Sequence, residues 1–281
     1  MSSLIVNNNL DALGAYNNLN ATDNAMTKAI SELSSGLQIQ TAADNPAGYV
    51  TAEALQSQSN GYQTAISNAQ SGVSLIQTAS GALNQIASIL QTMDSLALNS
   101  ANGATATTSS LNANQQEFAA LQNQIDQIAN TTSYGTTNLL DGSFKNEALQ
   151  VGAFNNTNQQ LSLTISAATT GALAVASTGG SAVSVGTVAS AQAAITAVQN
   201  AIQTVASQEA SVGATQNQLQ AIVANLTVGQ QNLQSAYAGL VDVNFAQMTT
   251  TFSTDQILMQ SGVSMLSQAQ QVPSLVLKLL K

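Results

Sequence analysis

A seven-residue repeat of apolar side chains restricts the fold of this chain more than any other feature. Between residues 190 and 240, one row of aliphatic residues recurs at every seventh position: Val198, Val205, Val212, Leu219, Leu226, Leu233 and Leu240. A second row is offset by three: Ile195, Ile202, Glu209, Gln216, Val223, Gln230 and Tyr237. Positions spaced in this way share one face of an α-helix, so we predict a long helix over 190–240 with a coiled-coil-like seam.

The N-terminal half carries the same repeat. Its members are Tyr62, Ala69, Ile76, Leu83, Leu90 and Ala97, and a shorter series follows at Leu111, Phe118 and Ile125. The dipeptide Asn102-Gly103 separates the two series, as expected of a turn. Pro46 suits the first position of a helix, where its missing N–H costs nothing, and either Asp44 or Asn45 can act as the cap. We therefore predict helices over about 46–100 and 108–130.

Both ends of the chain also have apolar residues at helical spacing. Near the N-terminus these are Leu19, Met26, Ile30, Leu33 and Leu37; between 256 and 280 they are Ile257, Val263, Leu266 and Val272. Pro273 is expected to kink or interrupt the last helix. Because an apolar helix face must be buried against something, we predict that the two terminal helices lie side by side.

The stretch 134–189 has a different pattern, with Gly-containing turns and short alternating segments at 149–151 and 161–165. It predicts a small β-rich insert. Residues 172–188 are low-complexity and are expected to form a loop or weak strands, not a packed layer. The fold class expected for the whole chain is mainly α: a long antiparallel helical rod with coiled-coil terminal helices and the small insert.

Composition excludes several classes of function. Only 6% of residues are charged, against about 25% in an ordinary soluble domain. The only bases are Lys28, Lys145, Lys278 and Lys281, so no basic patch is expected to bind nucleic acid. The absence of His and Cys removes the commonest catalytic base and metal ligands. We expect no enzymatic activity, no catalytic, cofactor-binding or metal-binding residues, and no membrane insertion, since no apolar run reaches the ~18 residues of a span.

The N-terminal residues 1–9 have neither a basic nor an apolar region of the kind found in a cleaved secretory signal. This pattern leaves two routes open: residence in the cytoplasm, or export by a route that uses no cleaved signal.

Several segments resemble bacterial flagellins, in the same order along the chain. They are LSSGLQIQTAADNPAG at 33–48, QSGVSLIQTASGALN at 70–84, YGTTNLLDG at 134–142, LQVGA at 149–153 and DQILMQSGVSMLSQAQQVPSLVLKLL at 255–280. The resemblance covers roughly residues 1–165 and 190–281. It implies a structural subunit that is exported and polymerises into the helical flagellar filament used for swimming, and therefore a secreted, extracellular location.

The resemblance also implies a domain division and a set of partners. An inner filament-core domain would comprise 1–43 plus 241–281, and an outer domain 44–240. The expected polymer-interface residues are Leu19, Met26, Ile30, Leu33, Leu37, Ile257, Leu258, Val263, Leu266 and Val272. The expected partners are copies of the same chain, the flagellar type III export apparatus, a flagellin export chaperone, and the hook–filament junction and cap proteins, with no cofactor.

In the family, part of the outer domain is sensed by a Toll-like receptor, and the matching positions here are Leu90, Thr92, Leu96 and Glu117. Thr92 stands where the family has an Arg. Helix packing is the alternative interpretation of Leu90 and Leu96. Two alternatives for the whole protein also stay open: a hook–filament junction protein of the same superfamily, and a secreted coiled-coil adhesin or translocator that binds a partner helix.

Overall fold

A computed structural model describes residues 9–176 and 182–279; for 272–279 only the backbone is described. The fold is mainly α. Its long helices are α1 (Leu10–Ser35), α2 (Pro46–Ala101), α3 (Thr108–Thr131), α4 (Val188–Val241) and α5 (Phe245–Leu279). The predicted helices over 46–100, 108–130 and 190–240 are therefore confirmed to within two residues. The last helix begins earlier than the apolar pattern indicated, and it continues to Leu279, so the interruption expected at Pro273 is not present.

Contacts between Cα atoms divide the chain into two compact units. The first takes its described residues from Met1–Ser57 and Asn232–Lys281, and the second is Gln58–Gln231. The division into 1–43 plus 241–281 and 44–240 stays a prediction, because it describes domains of an assembled subunit.

The core of the second unit contains the apolar rows of α2, α3 and α4 that the heptad pattern predicts. Its buried members include Ala69, Ile76, Leu83, Leu90 and Ala97 of α2, Phe118 and Ile125 of α3, and Val198, Val205, Val212 and Leu219 of α4. Only Phe118 among these is aromatic. Small and aliphatic side chains at the contacts let long helices approach closely along their whole length.

Local hydrogen bonds explain where α2 and α3 begin. The Asn45 side-chain Oδ1 accepts from the backbone N–H of Gly48 at 2.9 Å, so Asn45 and not Asp44 is the cap of α2. At α3, Thr107 Oγ1 accepts from the N–H of Ser110, and Ser110 Oγ accepts from the N–H of Thr107. This reciprocal capping box satisfies two backbone donors at the start of the helix.

The insert contains two small antiparallel sheets in its described part. Strands β1 (Ser133–Tyr134) and β2 (Thr137–Asn138) form a tight hairpin, and β3 (Glu147–Gln150) pairs with β4 (Gln160–Leu163). Leu149 lies opposite Leu161 in the second sheet, which confirms strands near both alternating segments. These two sheets are the small β-rich insert that the sequence predicts, and most of the rest of its described part is irregular.

The described residues of 172–187 form the irregular loop that the sequence predicts, but parts of this loop are buried, which the sequence does not predict. Leu173, Val175 and Val185 are buried in the core of the second unit, although 177–181 lie outside the described residues. The segment stays irregular because side chains of α3 satisfy its backbone. Gln122 Nε2 donates to the carbonyls of Val175 at 2.7 Å and Val183 at 3.1 Å. These bonds offset the free-energy cost of removing the two carbonyl groups from water.

In the first unit, α1 and α5 pack side by side and run antiparallel, as predicted. At one end, Asn9 Nδ2 donates to the carbonyl of Ala269 at 2.8 Å. At the other end, the N–H of Val243 donates to the carbonyl of Gly36 at 2.9 Å, and the N–H of Gln38 donates to the carbonyl of Val241 at 2.7 Å. Gly36 ends α1 with a φ of 76°, a left-handed conformation that favours glycine.

Candidate assembly interface

The facing sides of α1 and α5 form a continuous seam. Its residues follow alternating spacings of three and four: Ala12, Ala15, Leu19, Thr22, Met26, Ala29 and Leu33 on α1, and Met248, Phe252, Asp255, Met259, Gly262, Leu266 and Ala269 on α5. All of them are half-buried or buried. This is the pattern of a two-stranded coiled coil, in which side chains of one helix fit between those of the other.

Gly262 of α5 lies directly against Leu19 of α1 in the seam. A Cβ built on Gly262 would lie 3.0 Å from Cδ1 of Leu19, closer than carbon atoms normally approach. A side chain at 262 would therefore require the end of the Leu19 side chain to move. The seam accounts for one face of each helix. Outside it, Lys28 and Ser31 of α1 contact the loop that precedes α2, and much of the remaining surface of the pair is exposed.

Those remaining faces carry large apolar side chains exposed to solvent. On α1 they are Leu10, Leu13, Tyr16 and Ile30; on α5 they are Phe245, Ile257, Leu258, Val263 and Met265, and all are about half or more exposed. Leu10 is 65% and Met265 64% exposed. Single exposed apolar residues are ordinary, but a concentration of them on one pair of helices is typical of a surface that binds another protein.

Some of these exposed side chains border a groove of about 520 Å³ along the helix pair. Leu10, Gly14 and Leu19 line it from α1, and Leu258, Gly262 and Met265 line it from α5. Gly14 has no atom within 4 Å of the position where its Cβ would be, so nothing of the described chain fills the groove at that point. The walls are chiefly apolar, with Asp11, Asn18, Thr22 and Ser261 as the polar members. Such a groove can receive the apolar side chains of another helix.

The structure divides the ten predicted interface residues into two sets. Leu19, Met26, Leu33, Leu37 and Leu266 are half-buried, whereas Ile30, Ile257, Leu258 and Val263 are exposed. The Val272 side chain lies outside the described residues. The half-buried set is engaged within the chain, most of it in the seam, and the exposed set is free to contact another molecule.

Five exposed members of this surface are not among the residues predicted from the sequence: Leu10, Leu13, Tyr16, Phe245 and Met265. A helix that packs against a single neighbour needs one narrow apolar stripe. Apolar residues outside that stripe were the available signal, because they indicate a second neighbour.

A single base anchors the C-terminal part of α1. Lys28 Nζ lies 3.2 Å from Asp44 Oδ1 and 3.8 Å from Glu32 Oε1, and Glu32 is buried. The hydrogen-bonded Lys28 ammonium lowers the pKa of Asp44 below its ordinary value, and hydrogen bonds from the backbone and hydroxyl of Thr41 lower it further. These contacts fix the loop between α1 and α2 beside the seam.

The predicted receptor-facing residues do not form one exposed surface. Leu90 is fully buried and belongs to the core of the second unit, so a surface role for it is wrong. Leu96 is half-buried, and Thr92 and Glu117 are exposed. The Thr92 hydroxyl donates to the carbonyl of Ser88 at 3.2 Å, within its own helix. For Thr92, Leu96 and Glu117 the receptor role stays a prediction.

Among residues 9–176 and 182–279, no three His, Cys, Asp or Glu side chains are grouped so that they could hold a metal ion. None of the helices described for the chain combines the length and apolarity needed to cross a membrane.

Comparisons with known proteins agree on one family. Residues 6–145 match the family model for the bacterial flagellin N-terminal helical region, and residues 195–280 match the model for the C-terminal helical region. A flagellin of Halalkalibacterium halodurans is 36% identical over 99% of this chain and 100% of its own length. A flagellin of Bacillus subtilis is 34% identical over 98% of this chain and 99% of its own length.

Among solved structures, a putative flagellar hook-associated protein from Vibrio parahaemolyticus matches 71% of this chain and 100% of its own, with a TM-score of 0.57 and 14% identity. At that identity the match establishes a common fold and nothing more.

Proposed function

The chain belongs to the bacterial flagellin family, and from this premise we propose that it is a structural subunit which polymerises with copies of itself into the filament of a bacterial flagellum. The similarity to flagellins extends over nearly the full chain at 34–36% identity. The similarity to a hook-associated protein is one of fold alone. The alternatives of a junction protein and of a coiled-coil adhesin or translocator are therefore not favoured.

One observation carries the proposal: after α1 and α5 have packed against each other, both still expose apolar side chains. Ile30, Ile257, Leu258 and Val263 project from the pair, and Leu10 and Met265 border its groove. Burying apolar surface releases about 25 cal/mol per Å². Assembly would be stabilised by this free energy when neighbouring subunits cover these side chains, because they are exposed to water in the single chain.

We place the inner domain of the assembled subunit in residues 1–43 and 241–281. In this arrangement Leu19, Met26, Leu33, Leu37 and Leu266 hold the helix pair together, and the exposed set contacts other copies. Val272 continues the same apolar pattern toward the C-terminus. Contacts between two different surfaces of the same molecule propagate into an open helix, which is the geometry of a filament.

A subunit of the flagellar filament is located outside the cell, in the flagellum. We propose that the chain reaches it through the flagellar type III export apparatus with the help of a flagellin export chaperone, and that it meets junction and cap proteins at the ends of the filament. Family membership supports these partners. The role proposed is structural and requires neither a cofactor nor nucleic acid.

The test is polymerisation of purified full-length protein, measured by light scattering and electron microscopy. Leu258→Ser combined with Met265→Ser should raise the critical concentration strongly, because both side chains border the exposed groove. Phe154→Ser is the matched control, since Phe154 is also about half exposed but lies in the insert. Filaments that form from the double variant at the wild-type concentration would refute the proposal. Circular dichroism of both variants excludes misfolding as the cause.

A further inference from the structure

Asn102 lies in an exposed turn between α2 and α3 and is followed by Gly103. We propose that Asn102 is a site of spontaneous modification by water, which converts it to a mixture of aspartate and isoaspartate. The chain offers two internal comparisons, Asn60-Gly61 within α2 and Asp141-Gly142 after β2. These two sites differ from Asn102 in secondary structure and hydrogen bonding, and we expect both to react more slowly than Asn102.

The reaction needs no enzyme and no redox partner. The backbone nitrogen of Gly103 loses its proton to solvent base and attacks the side-chain Cγ of Asn102. A C–N bond forms, the side-chain amide leaves as ammonia, and a five-membered succinimide results. Water then opens either carbonyl of the ring, and gives aspartate or an isoaspartate whose backbone runs through Cγ. One water is consumed and one ammonia is released. Glycine favours the attack because it has no Cβ to obstruct the nitrogen.

The structure leaves both reacting groups at Asn102 accessible. Residues 102–105 are exposed. Among the hydrogen bonds of the described residues, none uses the N–H of Gly103 or the side-chain amide of Asn102. The turn is held instead through the Asn102 carbonyl, which accepts from the N–H groups of Thr105 at 3.2 Å and Ala106 at 3.0 Å. The amide therefore can rotate toward the Gly103 nitrogen without breaking a contact.

Asn60 is also followed by a glycine, but it lies within a helix and not in a turn. It lies inside α2, where each backbone N–H is engaged with the carbonyl four residues earlier and cannot act as a nucleophile until the helix opens. Gly61 is packed against the insert: a Cβ at this position would lie 2.6 Å from the Cβ of Ala153. Ring closure at Asn60 thus requires local unfolding of a packed helix.

Asp141-Gly142 could form the same succinimide, but only from a protonated carboxyl that loses water. Asp141 Oδ1 accepts from the Ser143 N–H at 2.8 Å and from Ser143 Oγ at 2.6 Å, and Oδ2 accepts from Asn138 Nδ2 at 3.1 Å. The Ser143 hydroxyl, followed by the other two donors, lowers the pKa of Asp141. The carboxylate anion that these bonds stabilise is a poor electrophile, so this site stays intact.

Conversion of Asn102 changes the turn in two ways. It adds a negative charge just beyond the C-terminus of α2, where the helix dipole already places partial negative charge. Isoaspartate also lengthens the backbone by one methylene group before Thr107, the cap of α3. Both changes accumulate with the age of each molecule.

The experiment incubates purified full-length protein at neutral and mildly alkaline pH and follows all three sites over time. Proteolytic peptides are separated by a chromatography that resolves aspartate from isoaspartate, and fragment masses locate the change. Methyl transfer from S-adenosylmethionine by an isoaspartyl carboxyl methyltransferase gives a second readout. We expect conversion at Asn102 to be at least about tenfold faster than at Asn60, because the helix must open at the latter.

Gly103→Ala is the matched variant. The added Cβ would meet only Val188 side-chain carbons at 3.7 and 3.8 Å, which is ordinary contact, so the turn can keep its structure. The variant should convert several-fold more slowly. The proposal is overturned by equal rates at Asn60 and Asn102, by an unchanged rate in Gly103→Ala, or by an intact Asn102 at a time when a synthetic peptide spanning 98–107 has reacted.

Discussion

Lys28 Nζ lies 3.2 Å from Asp44 Oδ1, and this ion pair ties the last turns of α1 to the loop that precedes α2. In a chain with four bases and thirteen acids, few other charges are present to take over its role. The contribution of this ion pair to stability can therefore be measured as a function of pH.

Removal of the Lys28 charge by Lys28→Met should lower stability near neutral pH and have little effect in strong acid. The Lys28 ammonium holds the folded-state pKa of Asp44 below its ordinary value of 3.8. The ionised Asp44 therefore stabilises the folded state fully above the ordinary pKa. This stabilisation is lost as the pH falls through the lower pKa of the folded state. Melting temperatures of wild type and variant should converge as the pH falls. A gap that persists into strong acid would mean that the variant acts through packing of the Lys28 side chain.

Substitution of Gly262 should separate the two terminal helices. Valine at this position would place its Cβ 3.0 Å from Cδ1 of Leu19 and add two methyl groups beyond it. Overpacking of this kind costs about 1–3 kcal/mol. Gly14→Ala is the control, because nothing lies within 4 Å of the added methyl and the change should favour the helix by about 0.5–1 kcal/mol. Thermal unfolding of the first unit, followed by circular dichroism, should move in opposite directions for the two variants.

Gln122→Leu should destabilise the second unit by about 1–3 kcal/mol, because it leaves the carbonyls of Val175 and Val183 without their donor. Gln116→Leu changes an exposed residue of the same helix in the same way and should have little effect. Urea unfolding gives both free energies. Equal stability of the two variants would show that the Gln122 bonds do not hold 172–188 in place.

Leu90→Ala should cost about 2–5 kcal/mol if Leu90 is a core residue, as its complete burial indicates. Leu98→Ala, at an exposed position of the same helix, should stay within about 0.5 kcal/mol of wild type. A small effect at Leu90 would contradict its assignment to the core of the second unit.

The heptad rows predicted the helices well because their spacing depends only on which residues share a helix face. Val198, Val205 and Phe118 lie in the core for that reason. The packing of 172–188 was not predictable in the same way, since it depends on Gln122, whose partners lie more than fifty positions along the chain. Gln122 is one of five Gln residues in α3, and nothing in the sequence distinguishes it from the others as the donor to this segment.

The candidate interface was predicted in outline but not in detail. The spacing of Leu19, Met26 and Leu33 identified the seam, yet it could not distinguish residues that pair within the chain from those left for another copy. That distinction depends on how the two helices are rotated about their axes. Ile30 and Leu33 differ by less than one turn, and only the fold places the first in solvent and the second in the seam.

The contact between Leu19 and Gly262 favours the observed alignment of the two helices along their axes. A slip of one heptad would set Leu19 against Asp255 or Ala269, which occupy the same row of α5 and carry the Cβ that Gly262 lacks. Every other spacing in the seam would be preserved by such a slip, because the repeat is regular. The absence of a side chain at residue 262 therefore distinguishes one alignment of a regular repeat from its neighbours, and it acts together with the hydrogen bonds that join the pair at Asn9 and Gly36.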